Sequence, residues 1–380
     1  MSGAGGFNSG VGVSLENIAL YDRDSQKPPL LSEVSLEIKA QEFFVLVGPS
    51  GCGKSHILRV IAGLADGVSG TVLFNGQTLT EFSPDYRNIA MAFQTQALYP
   101  HLTVKQNLEF NLKLSGLPRE TIAVQVAEIA NLIEITDILD LKPAKISKAK
   151  RQLVALARAF VKHPKILLLD EPLSELDSRA RMHYQSVLRW CCNNLHITTI
   201  YTTHSPTEAL TLGDRVACMD GGKILQVGTS AELYNKPVNE TVAKFIGYPE
   251  INFIDVETQA EENGLFLNLI KAKSLIPAPN KFLNLFTEYS KAKLGVRAEN
   301  LQIVSVDDTD FSQKESTLLQ MIVEMLEFQG ANTILYAVKE SLSLSIIIHS
   351  TEHYEIGETV FVEILENNLL LFAEGKCVGF

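Results

Sequence analysis

The sequence predicts an α/β chain that ends in a smaller all-β domain, and three observations carry that prediction. The apolar run "FFVLVG" breaks into a glycine loop, "GPSGCGKS" at 48–55, and then into a helix from about Lys54 to Leu64. Farther on, "KILLLD" and "TTIYTTH" read as buried parallel strands separated by a helix from Ser178 to Asn193. Beyond about residue 240 the helical period fades, and short segments bounded by turn residues take over.

The elements follow in order. Residues 1–12, "MSGAGGFNSGVG", have neither a basic flank nor an apolar stretch, so they read as a flexible lead-in and not as a signal peptide. From Val13 to Val47 the chain is strand-rich, with "VSLENIAL", "VSLEIKA" and "FFVLVG". Within about 95–163, "VKQNLEFNLKL" and "AVQVAEIANLIE" place apolar residues three and four apart, the mark of an inserted helical subdomain. This first domain is expected over 13–240, with its boundary near 240–252. The second, over 241–380, holds "GLFLNLI", "KLGVRAENLQIV", "LSLSIIIH", "TVFVEILE" and "NNLLLFAEG", which suggest a small β-barrel or sandwich. No internal repeat of fixed period is found.

Composition limits the function. With 380 residues and 46% hydrophobic content the chain can build two or three buried cores. A net charge of -11 argues against a general role on a nucleic-acid backbone, which requires clustered Lys and Arg. The 5 cysteines are odd in number, with Cys191 and Cys192 adjacent, so neither a disulfide framework nor a zinc site is indicated and a reducing cytoplasm fits. No run approaches the roughly 18 to 20 apolar residues of a membrane-spanning helix. Any membrane role is therefore peripheral.

Two motifs carry chemistry. Gly48-x4-Gly53-Lys54-Ser55 is a Walker A pattern in its required strand–loop–helix context. Its glycines let backbone N–H groups converge on phosphate oxygens at a helix N-terminus, Lys54 reaches the β and γ phosphates of ATP, and Ser55 ligates Mg²⁺. "ILLLDEP" ends a buried strand in two carboxylates. Alone, such a run is commonly a strand meeting a surface turn. After the glycine loop, Asp170 is placed to hold Mg²⁺ through water and Glu171 to polarise an attacking water.

The chain resembles the ATP-binding subunits of ATP-binding-cassette (ABC) importers, and closely the maltose-type sugar importer ATPases. The likeness runs through "GPSGCGKSHILRVIAGL", "MAFQTQALYPHLTV", "LLLDEPLSELDSRAR", "TTHSPTEALTLGDRVACMDGGKILQVGT", "FIGYPEINF" and "LGVRAEN". It implies a P-loop NTPase core with a helical subdomain and an OB-like regulatory domain. It also implies two ATPase subunits meeting head to tail, each ATP lying between the phosphate loop of one and the signature of the other. On the resemblance, Gly48, Pro49, Ser50, Gly51, Cys52, Gly53, Lys54, Ser55 and His56 form the nucleotide loop, and Tyr21 stacks on adenine. Gln94 contacts Mg²⁺ and senses the membrane partner, His204 is the switch histidine at the γ-phosphate, and Asp177 belongs to the loop crossing the dimer interface. The segment "ALYPHL" at 97–102 matches the surface that receives a helix of the membrane subunit.

Two departures stand out. His56 replaces the hydroxyl residue expected after Ser55, which predicts weaker but surviving ATP binding. More consequential is "ISKAKRQLVALARA" at 146–159, which resembles "LSGGQRQRVALARA" with Ser147, Lys148, Ala149 and Lys150 in place of "SGGQ". Glycines there let backbone amides approach a γ-phosphate, and two lysine side chains and a methyl crowd that approach. Because each signature serves the opposite site, a chain can lose it and still hydrolyse ATP beside a partner with an intact one. A heterodimer with a non-identical second ABC ATPase subunit is therefore favoured.

Three function classes stay open. The first is an ATPase subunit on the cytoplasmic face of the inner membrane, working with transmembrane permease subunits and, indirectly, a solute-binding protein to import a sugar, polyol or similar solute. The second is a catalytically silent ATP-binding regulatory subunit, and the third a soluble cassette ATPase not coupled to a membrane. No nucleic-acid partner is expected for the leading reading.

Overall fold

The computed structural model describes residues 10–21, 28–80, 82, 87–92, 98–174, 176–261, 264–305, 318–365 and 368–380. The chain divides into two compact units, the first ending at Ser230 and the second starting at Ala231.

Along the first unit run β1 (Val13–Leu20), β2 (Leu31–Ile38), β3 (Phe43–Val47), α1 (Lys54–Ala62), β4 (Val68–Phe74), β5 (Gln77–Thr78), β6 (Ile89–Ala92), α2 (Val104–Leu114), α3 (Arg119–Leu132), α4 (Lys148–Phe160), β7 (Ile166–Asp170), α5 (Ser178–Asn194), β8 (Thr198–Thr203), α6 (Pro206–Leu212), β9 (Arg215–Asp220) and β10 (Lys223–Gly228). Among the described residues they form two sheets, ordered β2-β1-β4-β5 and β10-β9-β3-β8-β7-β6. The first is antiparallel. In the second, β6, β7, β8, β3 and β9 are parallel and β10 closes one edge antiparallel to β9.

Strand β3 is buried at every position, as a parallel strand covered on both faces must be. Strand β8 is equally buried but carries four threonines. Their hydroxyls are satisfied: Thr198 accepts from the Gln41 N–H, Thr199 donates to Cys192 Sγ, Thr202 to Asp170 and Thr203 to Glu208. Helix α1 packs Ile57, Leu58, Val60 and Ile61 into the core shared by the two sheets. It ends at Gly63, whose φ of 74° suits a residue without Cβ. Buried Arg87 then donates to the Val60 and Ile61 carbonyls of the last turn. Helices α2, α3 and α4 lie within the stretch expected to be helical, 95–163.

The second unit opens with α7 (Ser230–Asn235) and α8 (Glu240–Phe245), then β11 (Asn252–Glu261), β12 (Gly264–Leu269), β13 (Ser274–Pro277), α9 (Leu283–Glu288), β14 (Lys291–Val296), β15 (Leu301–Val304), β16 (Leu319–Phe328), β17 (Asn332–Lys339), β18 (Leu342–His349), β19 (Thr359–Ile364), β20 (Leu370–Ala373) and β21 (Lys376–Gly379). These make two antiparallel sheets, β13-β12-β11-β14-β20-β21 and β15-β19-β16-β17-β18, over one apolar core that includes Val256, Leu294, Val323 and Leu335. Asn252 of β11 joins the sheets: its amide donates to the Ser345 carbonyl at 2.9 Å and its oxygen accepts the Ser345 N–H at 2.8 Å. The division after Ser230 falls ahead of the expected 240. Arg297 explains the difference, because it donates to the carbonyls of Tyr234, Ala243 and Ile246 and so ties that segment to the β-rich unit.

Candidate functional site

Parallel strands deliver their carboxyl ends to one side of a sheet. Here β3 runs into the glycine loop, β7 ends in Asp170 and β8 ends in Thr203, with Asp170 level with Thr202 and Val47 level with Thr203. The site is assembled at that edge.

The loop geometry requires its glycines. A Cβ on Gly48 would lie 2.1 Å from the Met219 carbonyl oxygen, and Gly53 caps α1 with a φ of 109°. Lys54 is buried, and its ammonium donates to the carbonyls of Gly48 at 3.0 Å and Pro49 at 2.9 Å while lying 3.5 Å from Glu171 Oε1. The buried Cys52 sulfur sits 4.0 Å from Lys54 Nζ. Burial pushes the Cys52 thiol pKa up, so the thiol stays protonated and acts as packing. Pro49, Ser50 and Gly51 form the exposed tip, and His56 stands half-buried on the first turn of α1.

The two carboxylates face different partners. Asp170 Oδ1 accepts from the hydroxyls of Ser55 and Thr202, each at 2.8 Å. Glu171 accepts at Oε1 the pairing with Lys54, and its Oε2 lies 3.0 Å from His204 Nδ1. Glu171 also adopts a φ of 44°, a backbone conformation that costs a residue with a Cβ and is commonly retained where a side chain must be aimed. Its N–H donates to Thr202 Oγ1 at 3.1 Å, which holds that turn against β8. The result is a continuous cluster of Ser55, Asp170, Thr202, Glu171, His204 and Lys54. It offers a cation, a general base and a hydroxyl–carboxylate pair around one small volume.

The remaining expected residues lie elsewhere. Ser147 caps α4, its hydroxyl accepting the Lys150 N–H at 3.2 Å. Lys148, Ala149 and Lys150 form the first turn, and the Lys150 ammonium is drawn sideways to the Glu134 carbonyl at 3.0 Å and to Asp137 at 3.6 Å. Asp177 is exposed and caps α5 by accepting the Ala180 N–H at 2.9 Å. Tyr21, just past β1, is 59% exposed. Gln94 and Ala97 lie outside the described residues. From 98 to 103 the surface is organised by buried Asn107, which accepts the Tyr99 N–H and donates to the carbonyls of Tyr99 and Thr103.

Two positioning residues escaped the sequence reading. Thr202 hides in "TTIYTTH", where threonine is also an ordinary strand former. Gln152, buried on α4, donates to the Pro172 carbonyl and so links the signature helix to the segment that carries Glu171. Its only sequence signal is a polar residue on the apolar face of a helix.

Residues 31–174 match the family described as ABC transporter. Over 336 residues the chain is 40% identical to the trehalose import ATP-binding protein SugC of Mycobacterium tuberculosis, covering 88% of this chain and 84% of that protein. The chain belongs to the ABC transporter ATPase family. Another family member, the sn-glycerol-3-phosphate import ATP-binding protein UgpC of Chromohalobacter salexigens, is 40% identical over 306 residues, 80% of this chain and 79% of that one. Among solved structures, the dimeric bacterial ABC transporter cassette MJ0796 aligns with a TM-score of 0.52 and 27% identity over 57% of this chain and 98% of that one. This ABC protein is thus the ATP-binding subunit of an importer, and it is an ATPase. Among the described residues no helix is long and apolar enough to cross a membrane.

Proposed function

We propose that this subunit hydrolyses Mg-ATP at the site built on its own phosphate loop, and that it works beside a second ATPase subunit whose signature is intact. The observation that supports this is the contrast between a complete cluster, Lys54 with Glu171 and His204, and a first turn of α4 in which Lys148, Ala149 and Lys150 replace the glycines and glutamine. ATP is held by the loop amides and Lys54, with Tyr21 against the adenine. Ser55 and Asp170 suit Mg²⁺, since a hydroxyl and a carboxylate are hard oxygen donors and this ion is ordinarily held by few protein groups plus phosphates. When bound, the metal neutralises charge developing on the phosphates. Glu171 takes the proton of the attacking water, and His204, at its Oε2, orients that carboxylate and faces the γ-phosphate. Gln94 links the site to the membrane partner.

Asp177 and the signature of each subunit face the other across the interface. The segment 97–102 receives the permease subunits, and the protein works at the cytoplasmic face of the inner membrane. Relatives at equal identity are named for trehalose and for sn-glycerol-3-phosphate, so the solute is assigned only as a sugar, polyol or related small molecule. The experiment is native mass analysis of the complex purified through this subunit, together with its ATP turnover. A complex holding two copies of this chain and turning over ATP at a transporter's rate would overturn the asymmetric assembly.

A further inference from the structure

Helix α6 starts just past His204, and its first turn carries Glu208, a buried carboxylate outside the cluster around Lys54. Such a group is costly unless it is paired and hydrogen-bonded, and for stability alone an apolar residue of similar size often serves as well. Glu208 Oε2 accepts the Tyr201 hydroxyl at 3.0 Å and the Thr203 hydroxyl at 2.8 Å. Burial, together with this carboxylate, pushes the Tyr201 pKa well up, so the phenol keeps the proton it donates. The two donors stand on either side of Thr202, which bonds Asp170 and the Glu171 N–H. Thr203 Oγ1 also accepts the Ser205 N–H at 3.0 Å, so the hydroxyl that Glu208 orients closes the backbone around His204.

The other carboxylate oxygen meets a different element. Glu208 Oε1 lies 3.5 Å from Arg181 Nε on α5, an ion pair longer than a charge-assisted hydrogen bond. Arg181 Nη2 donates in turn to the Leu176 carbonyl at 3.0 Å, and Leu176 immediately precedes Asp177, the cap of α5. A chain of polar contacts thus runs from the loop before α5, through Arg181 and Glu208, to Thr203 and the turn that bears His204. Each end of it adjoins a residue of the nucleotide site or of the expected dimer interface.

We propose that Glu208 and Arg181 are positioning residues that couple the loop ending at Asp177 to the turn carrying His204, so that His204 meets Glu171 only when that loop is seated. The inference rests on the roles proposed above for His204 and Asp177. Displacement of the Leu176 carbonyl would draw Arg181 away from Glu208 and leave a buried carboxylate without its cation. The hydroxyl bonds that fix the His204 turn would then loosen, and the 3.0 Å contact of His204 Nδ1 with Glu171 Oε2 with them. Seating Asp177 across the interface would thereby complete the hydrolytic site on the same chain.

Two measurements test this. In the isolated full-length chain, the carbon-bound ring protons of His204, assigned by their loss in His204→Gln, report its surroundings by NMR whether or not ATP is turned over. Glu208→Gln keeps an acceptor for the two hydroxyls and removes the charge, while Arg181→Gln removes the cation. Both should shift the His204 signals, and the double variant should shift them no farther than the larger single change. In the complete complex each variant should lower kcat by about 10- to 10²-fold, the range that misplacement costs, with KM for ATP changed by less than about twofold. The losses should not add in the double variant. If Glu208→Gln fails to fold, Arg181→Gln, at a half-buried position, carries both measurements. Unmoved His204 signals in Arg181→Gln, additive losses, or an unchanged kcat in Arg181→Gln where His204→Gln is impaired would each overturn the coupling. Shifted signals beside full turnover in His204→Gln would support the coupling and refute instead the catalytic reading of His204.

Discussion

Glu171 sits where three demands meet: a left-handed backbone, the Lys54 ammonium and the His204 ring. Glu171→Gln keeps the shape and removes the proposed base, so ATP should remain bound while turnover in the complete complex falls by about 10²–10⁴-fold, the usual contribution of a general base. Lys54→Ala should instead weaken binding itself; nucleotide retention on a filter separates the two. Thr202→Val tests positioning. The exchange preserves volume but leaves the Glu171 N–H without its acceptor and removes a donor to Asp170, a loss of about 1–3 kcal/mol in denaturant unfolding. Turnover should fall while the far-ultraviolet spectrum is kept. Unchanged turnover would mean that Asp170 is held without Thr202. The sequence disclosed the carboxylates and the lysine because each has a motif around it. It could not disclose the positive φ of Glu171 or the role of Thr202, since neither leaves a residue-type signal that differs from an ordinary strand end.

The elements that position the site follow from punctuation the sequence displays: an apolar β3, Gly53 as the cap of α1, and Asp170 closing β7. What remained hidden were arrangements made by distant partners, such as Arg297 drawing α7 and α8 to the β-rich unit. Helix α4 gives the sharpest test at this scale. Its first turn is a normal helix start, capped by Ser147, with the Lys150 ammonium bonded to the Glu134 carbonyl. Replacing Lys148, Ala149 and Lys150 by Gly, Gly and Gln restores an amide-lined approach but places two glycines in a helix. In a helix interior each costs about 0.5–1 kcal/mol relative to Ala, so at this first turn the repaired chain alone should be less stable by up to about 1–2 kcal/mol in a denaturant titration. An unaltered midpoint would show that this turn is frayed in solution and that its lysines are not what shapes it.

For the whole molecule the decisive property is which site each half completes. In the proposed head-to-tail pair, this chain would give its phosphate loop, Glu171 and His204 to one site and its altered signature to the other. Alone, it should bind Mg-ATP and hydrolyse it slowly, because its loop meets only another altered signature. Addition of a partner with an intact signature should raise turnover, and that rise should vanish with Glu171→Gln on this chain. The repaired α4 then reads the second site. With Glu171→Gln blocking the first, the repaired complex should retain measurable phosphate release if the partner kept its own carboxylate and histidine. If the partner lost them, it should hold more ATP without hydrolysing it. Bound nucleotide and released phosphate, measured in the same complex, distinguish these outcomes. If repair alters neither quantity, Lys148, Ala149 and Lys150 do not weaken the second site, and the case for an asymmetric pair loses its physical basis.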